Sequence, residues 1–310
     1  MNPLRYSLVL LALLVGHICG ACAGENAPPV ADVIKLTDAS IEISYTGNVI
    51  GMDRNEVRQW IEAAANAVQI YYGQFPVRRV RIRIEAGEGR GAQSGTTFAY
   101  NGALIRVGVG RFSDNADLKR DWIMTHEMVH LAMPEFADRH AWLEEGLATY
   151  VEPVARVQAG QLSAETIWRD MLRDMPKGLP AAHDRGLDHT PTWGRTYWGG
   201  AIYYLLADVR IRERTGNRAG LQDALRAIVA RGGNVEVSWD VRKTLAIGDR
   251  ATGTNVLTEL YEEMRAAPVS PDLAQLWQRL GVKLSRDSVE FDDTAPLAAI
   301  RRAITGRPGG

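Results

Sequence analysis

The sequence predicts an α+β protein, with a strand-rich N-terminal lobe and a mainly helical C-terminal lobe. Three observations carry this. Two segments before residue 110 alternate apolar with polar residues and are rich in Val and Ile, the period of strands buried on one face. Most segments after residue 113 space their apolar residues by three and four between Gly and Pro breakers, as amphipathic helices do. No internal repeat, low-complexity segment or late apolar run of membrane length interrupts them.

The first residues, MNPLRYSLVLLALLVGHICGACAG, join one positive charge at Arg5 to an apolar run from Tyr6 to Val15 and then small residues. That layout predicts an export signal, with Ala21-Cys22-Ala23 fitting an A-x-A cleavage site. The expected division is a signal peptide over 1–23, an N-terminal α+β lobe over 24–112, a helical lobe over 113–265 and a C-terminal bracing segment over 266–310. Cleavage after Ala23 removes Cys19 and Cys22, the two cysteines, and with them any disulfide or Cys-ligated metal. The alternative is a lipoprotein anchored to a membrane through Cys22, although Cys19 stands where such signals usually carry an aliphatic residue. The expected location is periplasmic or secreted. With 36 Lys and Arg against 37 Asp and Glu, the charge balance argues against general nucleic-acid binding. Oligomeric state has no signature here.

Val30 to Ile50 reads as one or two strands, with Gly47-Asn48 as a turn. Asp53 caps a helix, with Glu56 three residues on. Val57, Trp60, Ile61, Ala64 and Val68 form its apolar stripe, and Gly73 ends it. In Val77 to Glu85, VRRVRIRIE, Val80, Ile82 and Ile84 share one face and Arg79, Arg81 and Arg83 the other, which reads as a solvated strand face rather than a phosphate site. Gly87 to Gly95 is a glycine-rich loop without phosphate-binding spacing. Thr96 to Tyr100 and Ala103 to Gly110 form a hairpin turned at Asn101-Gly102. Ser113 or Asp114 then caps the helix that carries the chemistry, and Asp114 and Asp117 suit its positive end.

That helix contains His126-Glu127-Met128-Val129-His130, an HExxH pattern, followed by Trp142-Leu143-Glu144-Glu145-Gly146. Residues four apart lie on one helix face, so both imidazoles reach one ion at about 2.0–2.1 Å. Glu127, rotated about 100° away, is placed to touch water at that ion rather than to share the metal in the same way. An open fourth position requires a third protein ligand. Pro134 stops or bends the helix, and Asp138 caps a second one that runs to the residues before Pro153. The second helix turns back on the first and offers Glu144 or Glu145, which face different sides. The small Gly146 and Ala148 beside Glu145 permit close helix approach and favour it.

HExxH followed by WLxEGLATYVE resembles the gluzincin metallopeptidases, the group containing thermolysin and aminopeptidase N, and within it the compact peptidase-MA-like proteins sharing WLxEGxA. The resemblance spans about residues 95 to 215. It implies a zincin-like fold with an edge strand over the active-site helix, pairing with extended peptide. It also implies that Glu145, the glutamate before the glycine, is the third zinc ligand. Fourteen residues separate His130 from Glu145, fewer than in the aminopeptidase N type, a departure that bears on substrate mode rather than on the ligand set. The metzincin pattern does not fit, because Met133 stands in place of its glycine and Phe136 in place of its third histidine. Aminopeptidase N relatives also carry GxMEN, whose glutamate holds the substrate amine. Here Gly91-Ala92-Gln93-Ser94-Gly95 has no acid, so endopeptidase activity is expected over aminopeptidase activity.

Further on, Ser163 to Leu172 is a short helix, and the segment to Trp193, holding His183 and His189, is a loop in which neither histidine is assigned a role. Trp193-Gly194 opens a helix that ends at Gly216. Its Tyr197-Trp198-Gly199-Gly200-Ala201 resembles the tyrosine-bearing helix start that follows the zinc glutamate in aminopeptidase N relatives. There the tyrosine donates to the oxyanion, a role that falls on Tyr197, whereas Tyr203 and Tyr204 read as core. Leu221 to Ala230 and Asn255 to Ala266 are amphipathic helices, the second closed by Pro268 and Pro271; Val282 to Phe291 is a small hairpin, and Thr294-Ala295-Pro296 starts a last helix.

The expected function is an exported zinc metallopeptidase acting on peptide or protein. It has Zn²⁺ on His126, His130 and Glu145, Glu127 as general base and Tyr197 as oxyanion donor. Thr149, Glu144 and Glu152 are candidates to orient the ligands, and His140 is the reserve third ligand. The alternatives are a zinc hydrolase of a non-peptide amide or ester, and a catalytically silent metal-binding surface protein.

Overall fold

The structure, a computed structural model, describes residues 28–99, 101–286 and 288–307. The expected signal peptide, its cleavage site and Cys22 lie outside them.

The N-terminal part is a five-stranded sheet crossed by one long helix. Its elements are β1 (Asp32–Lys35), β2 (Ser40–Gly47), α1 (Arg54–Tyr72), β3 (Arg79–Gly87), β4 (Ala92–Phe98) and β5 (Ala103–Gly110), and the strand order is β1-β2-β3-β5-β4. The three central strands run parallel and both edge strands antiparallel. Period-2 alternation sends Ile41, Ile43, Val80, Ile82, Ile84, Ile105 and Val107 to the inner face, all fully buried. On the outer face Arg79 pairs with Glu42 and Arg106 with Glu85, while Arg81 donates to the Asn101 carbonyl. This is the solvated strand face the alternation predicts.

Asp53 accepts from the backbone N–H groups of Asn55 and Glu56 to start α1, and Gly73, in the left-handed region, ends it. The turn between β1 and β2 lies at Leu36 to Ala39 rather than at Gly47-Asn48, because Gly47, with φ 78°, closes β2 instead. Asn101 and Gly102 have φ 57° and 91°, the pair of positive angles that lets a two-residue turn follow the twist of its strands. The glycine-rich loop is shorter than expected, since Ala92 already belongs to β4.

The rest is helical: α2 (Asn115–Arg120), α3 (Ile123–His130), α4 (Ala141–Gln158), α5 (Ala164–Asp174), a π-helical turn at Gly194–Gly199, α6 (Gly200–Thr215), α7 (Leu221–Ala230), α8 (Val241–Thr252), α9 (Val256–Arg265), α10 (Leu273–Leu280), the hairpin β6 (Val282–Ser285) and β7 (Ser288–Phe291), and α11 (Ala298–Thr305). Asp114 caps the separate helix α2, not the helix with the histidines. The chain breaks at Asp121, whose carboxylate accepts from Ile123 and Met124 N–H to begin α3 afresh and from the Trp60 indole of α1.

α4 does not stop before Pro153 but runs through it. A proline inside a helix costs about 3 kcal/mol or more. Here both halves are held by buried residues, Leu147 and Val151 before the proline and Val154 and Ala155 after it. Two helices were absent from the sequence expectation, α8 and α10. Each begins at an aspartate cap, Asp240 and Asp272, and ends at a left-handed glycine, Gly253 and Gly281. Among the described residues no helix is long and apolar enough to cross a membrane.

Candidate metal centre and active site

α3 ends at His130, and the chain returns through Pro134 and a 3-10 turn at Asp138–His140 into α4. The neighbouring glutamates then part, as their adjacency predicts. Glu144 accepts from the Phe136 N–H at 2.9 Å and so fixes the connecting turn; burial raises its carboxyl to about 7. Glu145 turns to the histidines. Its Oε2 lies 3.3 Å from His126 Nε2 and 3.5 Å from His130 Nε2, and one donor atom from each of the three residues falls within 4.8 Å of the others.

Those separations are long for a charged N–H···O contact, about 2.7–2.9 Å. They match instead the edge of a tetrahedron whose centre lies about 2.0–2.1 Å from each vertex, roughly 3.3–3.4 Å. Two imidazole nitrogens and a carboxylate oxygen are also the donor set zinc takes at catalytic sites. The residues present therefore fit the metal. The electrostatics agree. Burial works to lower His130, but Glu145, with Glu127 and Glu144 behind it, raises it to about 9. Burial likewise works to raise Glu145, yet His130 and His126 hold it well below the usual carboxylate range. Positive charge is favoured between these side chains.

Glu127 projects from α3 beneath the edge strand β4. Gly95 and Thr97 sit opposite Val107 and Ile105 of β5, so they face the same inner side. A Cβ on Gly95 would lie 2.6 Å from Glu127 Cγ and Oε1 and from Ile123 Cγ2, so only glycine lets the strand approach this closely. Two residues on, the Thr97 hydroxyl lies 2.7 Å from Glu127 Oε2 and 2.9 Å from the Glu127 carbonyl.

Tyr197 comes from the π-helical turn, a feature frequent at functional sites. Its ring stacks on His126 at 6.4 Å between centroids and on Trp193 at 6.0 Å. Burial, and then the Glu145 and Glu127 carboxylates, push its phenol far above the ordinary value, so it keeps its proton to donate. The turn is held against α4 by backbone contact, for a Cβ on Gly146 would lie 2.3 Å from Gly200 Cα. The small residue after Glu145 therefore serves the approach of α6 rather than of α3.

Other candidates are otherwise engaged. Thr149 donates to the Glu145 backbone carbonyl, Glu144 holds the turn, and Glu152 forms a buried pair with Arg156 at 2.7 Å. His140 is not a reserve ligand. It is buried, with Nδ1 2.9 Å from Asp188, whose same oxygen accepts from the Trp142 indole at 2.8 Å. His183 and His189 do not line the cleft, while Trp193, unassigned from sequence, does.

The cleft encloses about 2030 Å³. Its walls include Gln93 to Phe98 on one side, Met171 and Trp193 on the other, and the two histidines, Glu127, Glu145 and Tyr197 between them.

No protein-family model matches the sequence, and no curated protein matches it. Solved structures do. An aminopeptidase N family protein from Idiomarina loihiensis has 11% identity and a TM-score of 0.58 over 81% of this chain and 49% of its own. An M1 zinc metallopeptidase from Deinococcus radiodurans has 14% identity and a TM-score of 0.50, covering 78% of this chain and 52% of its own. A variant of that enzyme bound to a Tyr-Ser-Ala substrate has 16% identity and the same TM-score over 78% and 53%. The chain has a gluzincin peptidase-like fold. It spans about half the length of those structures. Within the gluzincin-like fold the mixed sheet and the helical part form two lobes, and β4 is the edge strand above the helix bearing the histidines.

Proposed function

We propose that this chain is an exported zinc-dependent metallopeptidase. One observation carries the reading: a Glu145 oxygen lies at 3.3 and 3.5 Å from the His126 and His130 nitrogens, the three donors within 4.8 Å of one another, beside the Glu127 carboxylate and under an open strand edge. Zinc held there would make water acidic near neutral pH and polarise the scissile carbonyl. Glu127 takes a proton from the attacking water on its carboxylate and returns it to the leaving amine. The Tyr197 hydroxyl donates to the oxygen that becomes negative as the carbonyl is attacked. The outer edge of β4 offers unpaired N–H and C=O groups to an extended peptide. The Tyr-Ser-Ala peptide in the Deinococcus radiodurans structure supports a peptide as the substrate class.

β4 carries no acid to hold a free amine, which supports endopeptidase action over removal of N-terminal residues. The leader pattern of the first 23 residues supports export.

The test is cleavage of an undirected peptide library, half of it N-terminally blocked, by the zinc-loaded protein and by Glu127→Gln. Internal cleavage of blocked peptides is expected. The variant is expected to keep its zinc and lose about 10²–10⁴ in rate. Turnover confined to esters or non-peptide amides would make it another zinc hydrolase. Stoichiometric zinc without any turnover would make it a metal-binding protein only.

A further inference from the structure

The edge strand does more in this molecule than present a peptide-binding edge. We propose that Thr97, seated over the space left by Gly95, is a positioning residue that sets the orientation of the Glu127 carboxylate. The inference rests on the peptidase reading and goes beyond the ligand set and the base.

The argument starts from the pleat. Alternate residues of β4 face the helix, so Gly95 and Thr97 are successive inward positions, whereas Thr96 pairs opposite Arg106 on the outer face. A glutamate has three side-chain torsions, and a carboxylate facing an open cleft samples several rotamers. Gly95 confines the stem of Glu127 by approaching its Cγ and Oε1 closely, and the Thr97 hydroxyl occupies Oε2 at 2.7 Å. β4 therefore bounds the carboxylate on the Gly95 side, at Cγ and Oε1, and anchors it at Oε2 through Thr97.

The second acceptor matters as much. The same hydroxyl lies 2.9 Å from the backbone oxygen of Glu127. The Leu131 N–H, which an unbroken helix would direct at that oxygen, bonds instead to the Met128 carbonyl at 3.2 Å as α3 closes. A hydroxyl carries one proton and rotates to suit its surroundings. With Glu127 charged, the proton points at Oε2, where a charged acceptor makes the stronger bond. With Glu127 carrying a proton in mid-reaction, the hydroxyl still has the neutral carboxyl oxygen Oε2 or the backbone oxygen to donate to. Thr97 thus stays bonded in both states of the base. Because Thr97 belongs to the strand whose free edge meets the peptide, substrate pairing steadies the residue that aims the base.

The experiment compares the zinc-loaded full chain with Thr97→Val, which keeps shape and removes the hydroxyl, and with Thr97→Ser, which restores it. Thr97→Val is expected to lower kcat about 10–100-fold, with KM and zinc content unchanged, and Thr97→Ser to recover most of the loss. Wild-type kcat in Thr97→Val would overturn the proposal. So would a loss that Thr97→Ser does not recover. A crystal structure of Thr97→Val supplies a readout independent of turnover: Glu127 is expected to leave its rotamer, and an unmoved carboxylate would overturn the assignment. If Glu127→Gln cleaves as fast as wild type, the peptidase mechanism fails, and the structure still decides whether Thr97 orients the side chain.

Discussion

Two histidine–carboxylate groups lie near each other in the chain and differ in almost every physical respect. His140 and Asp188 meet at 2.9 Å with side chains only 6% and 3% exposed, and the Trp142 indole shares the same oxygen. His126, His130 and Glu145 stand at 3.3 and 3.5 Å, with exposures of 7%, 15% and 23%, on the wall of a large cleft. The first group is closed on itself: the His140 Nδ1 and the Trp142 indole both meet one Asp188 oxygen, and Trp142 stacks on Tyr261. In the second, one carboxylate oxygen lies at 3.3 and 3.5 Å between two imidazoles, farther than the 2.9 Å of the first group. A buried histidine beside an acid is therefore not in itself a binding site. What marks one is donors kept from satisfying each other.

Glu145→Ala should break this contrast most. Removing one of three donors is expected to abolish stoichiometric zinc and all peptide cleavage, measured by metal analysis of dialysed protein. Zinc retained at full occupancy would mean another ligand exists, and His140 is not free to be it. The converse change is His140→Ala. It is expected to leave zinc stoichiometry intact while costing about 1–3 kcal/mol of stability, because Asp188 is left buried with one donor fewer. Urea unfolding checks this, and loss of zinc without loss of stability would reverse the two roles.

The smallest effect is in pH. In metal-free protein burial works to lower His130, but the Glu145 carboxylate pushes it up from its ordinary 6.5 to about 9. Its folded state then binds more protons than its unfolded state between those values. The stabilisation it contributes is complete below about 6.5 and is lost as pH rises through about 9. Zinc requires the deprotonated imidazole, so its affinity should climb over the same interval and its presence should flatten the stability curve. Unfolding series at several pH values, with and without zinc, would show both slopes.

Local signals carried much of this into view from sequence. The i, i+4 histidines, a proline turn and two successive glutamates are short-range features, and HExxH with WLxEG was specific enough to point at Glu145. That a hairpin near Asn101-Gly102 supplies the edge followed from the order of elements; that its first strand, β4, is the outer one came from the sheet order β3-β5-β4. What escaped depends on distance along the chain. Thr97 acquires its role from the register of β4 against a helix thirty residues later, and no pattern within β4 encodes that. His140 looked available because Asp188, its partner, is 48 residues away. α8 and α10 were a different failure. Their caps at Asp240, Gly253, Asp272 and Gly281 are legible, but Gly248 interrupts one apolar stripe, and Pro271 signals the end of one helix as readily as the start of the next.

The bare contact between Gly146 and Gly200 has its own consequence. Gly146 follows a candidate metal ligand and Gly200 lies three residues after the tyrosine, so the separation of electrophile and donor is gauged by hydrogen atoms alone. A single methyl group there would wedge the crossing open and move Tyr197 relative to Glu145. Gly146→Ala and Gly200→Ala should therefore change the rate without touching any donor group, because each displaces α4 from α6.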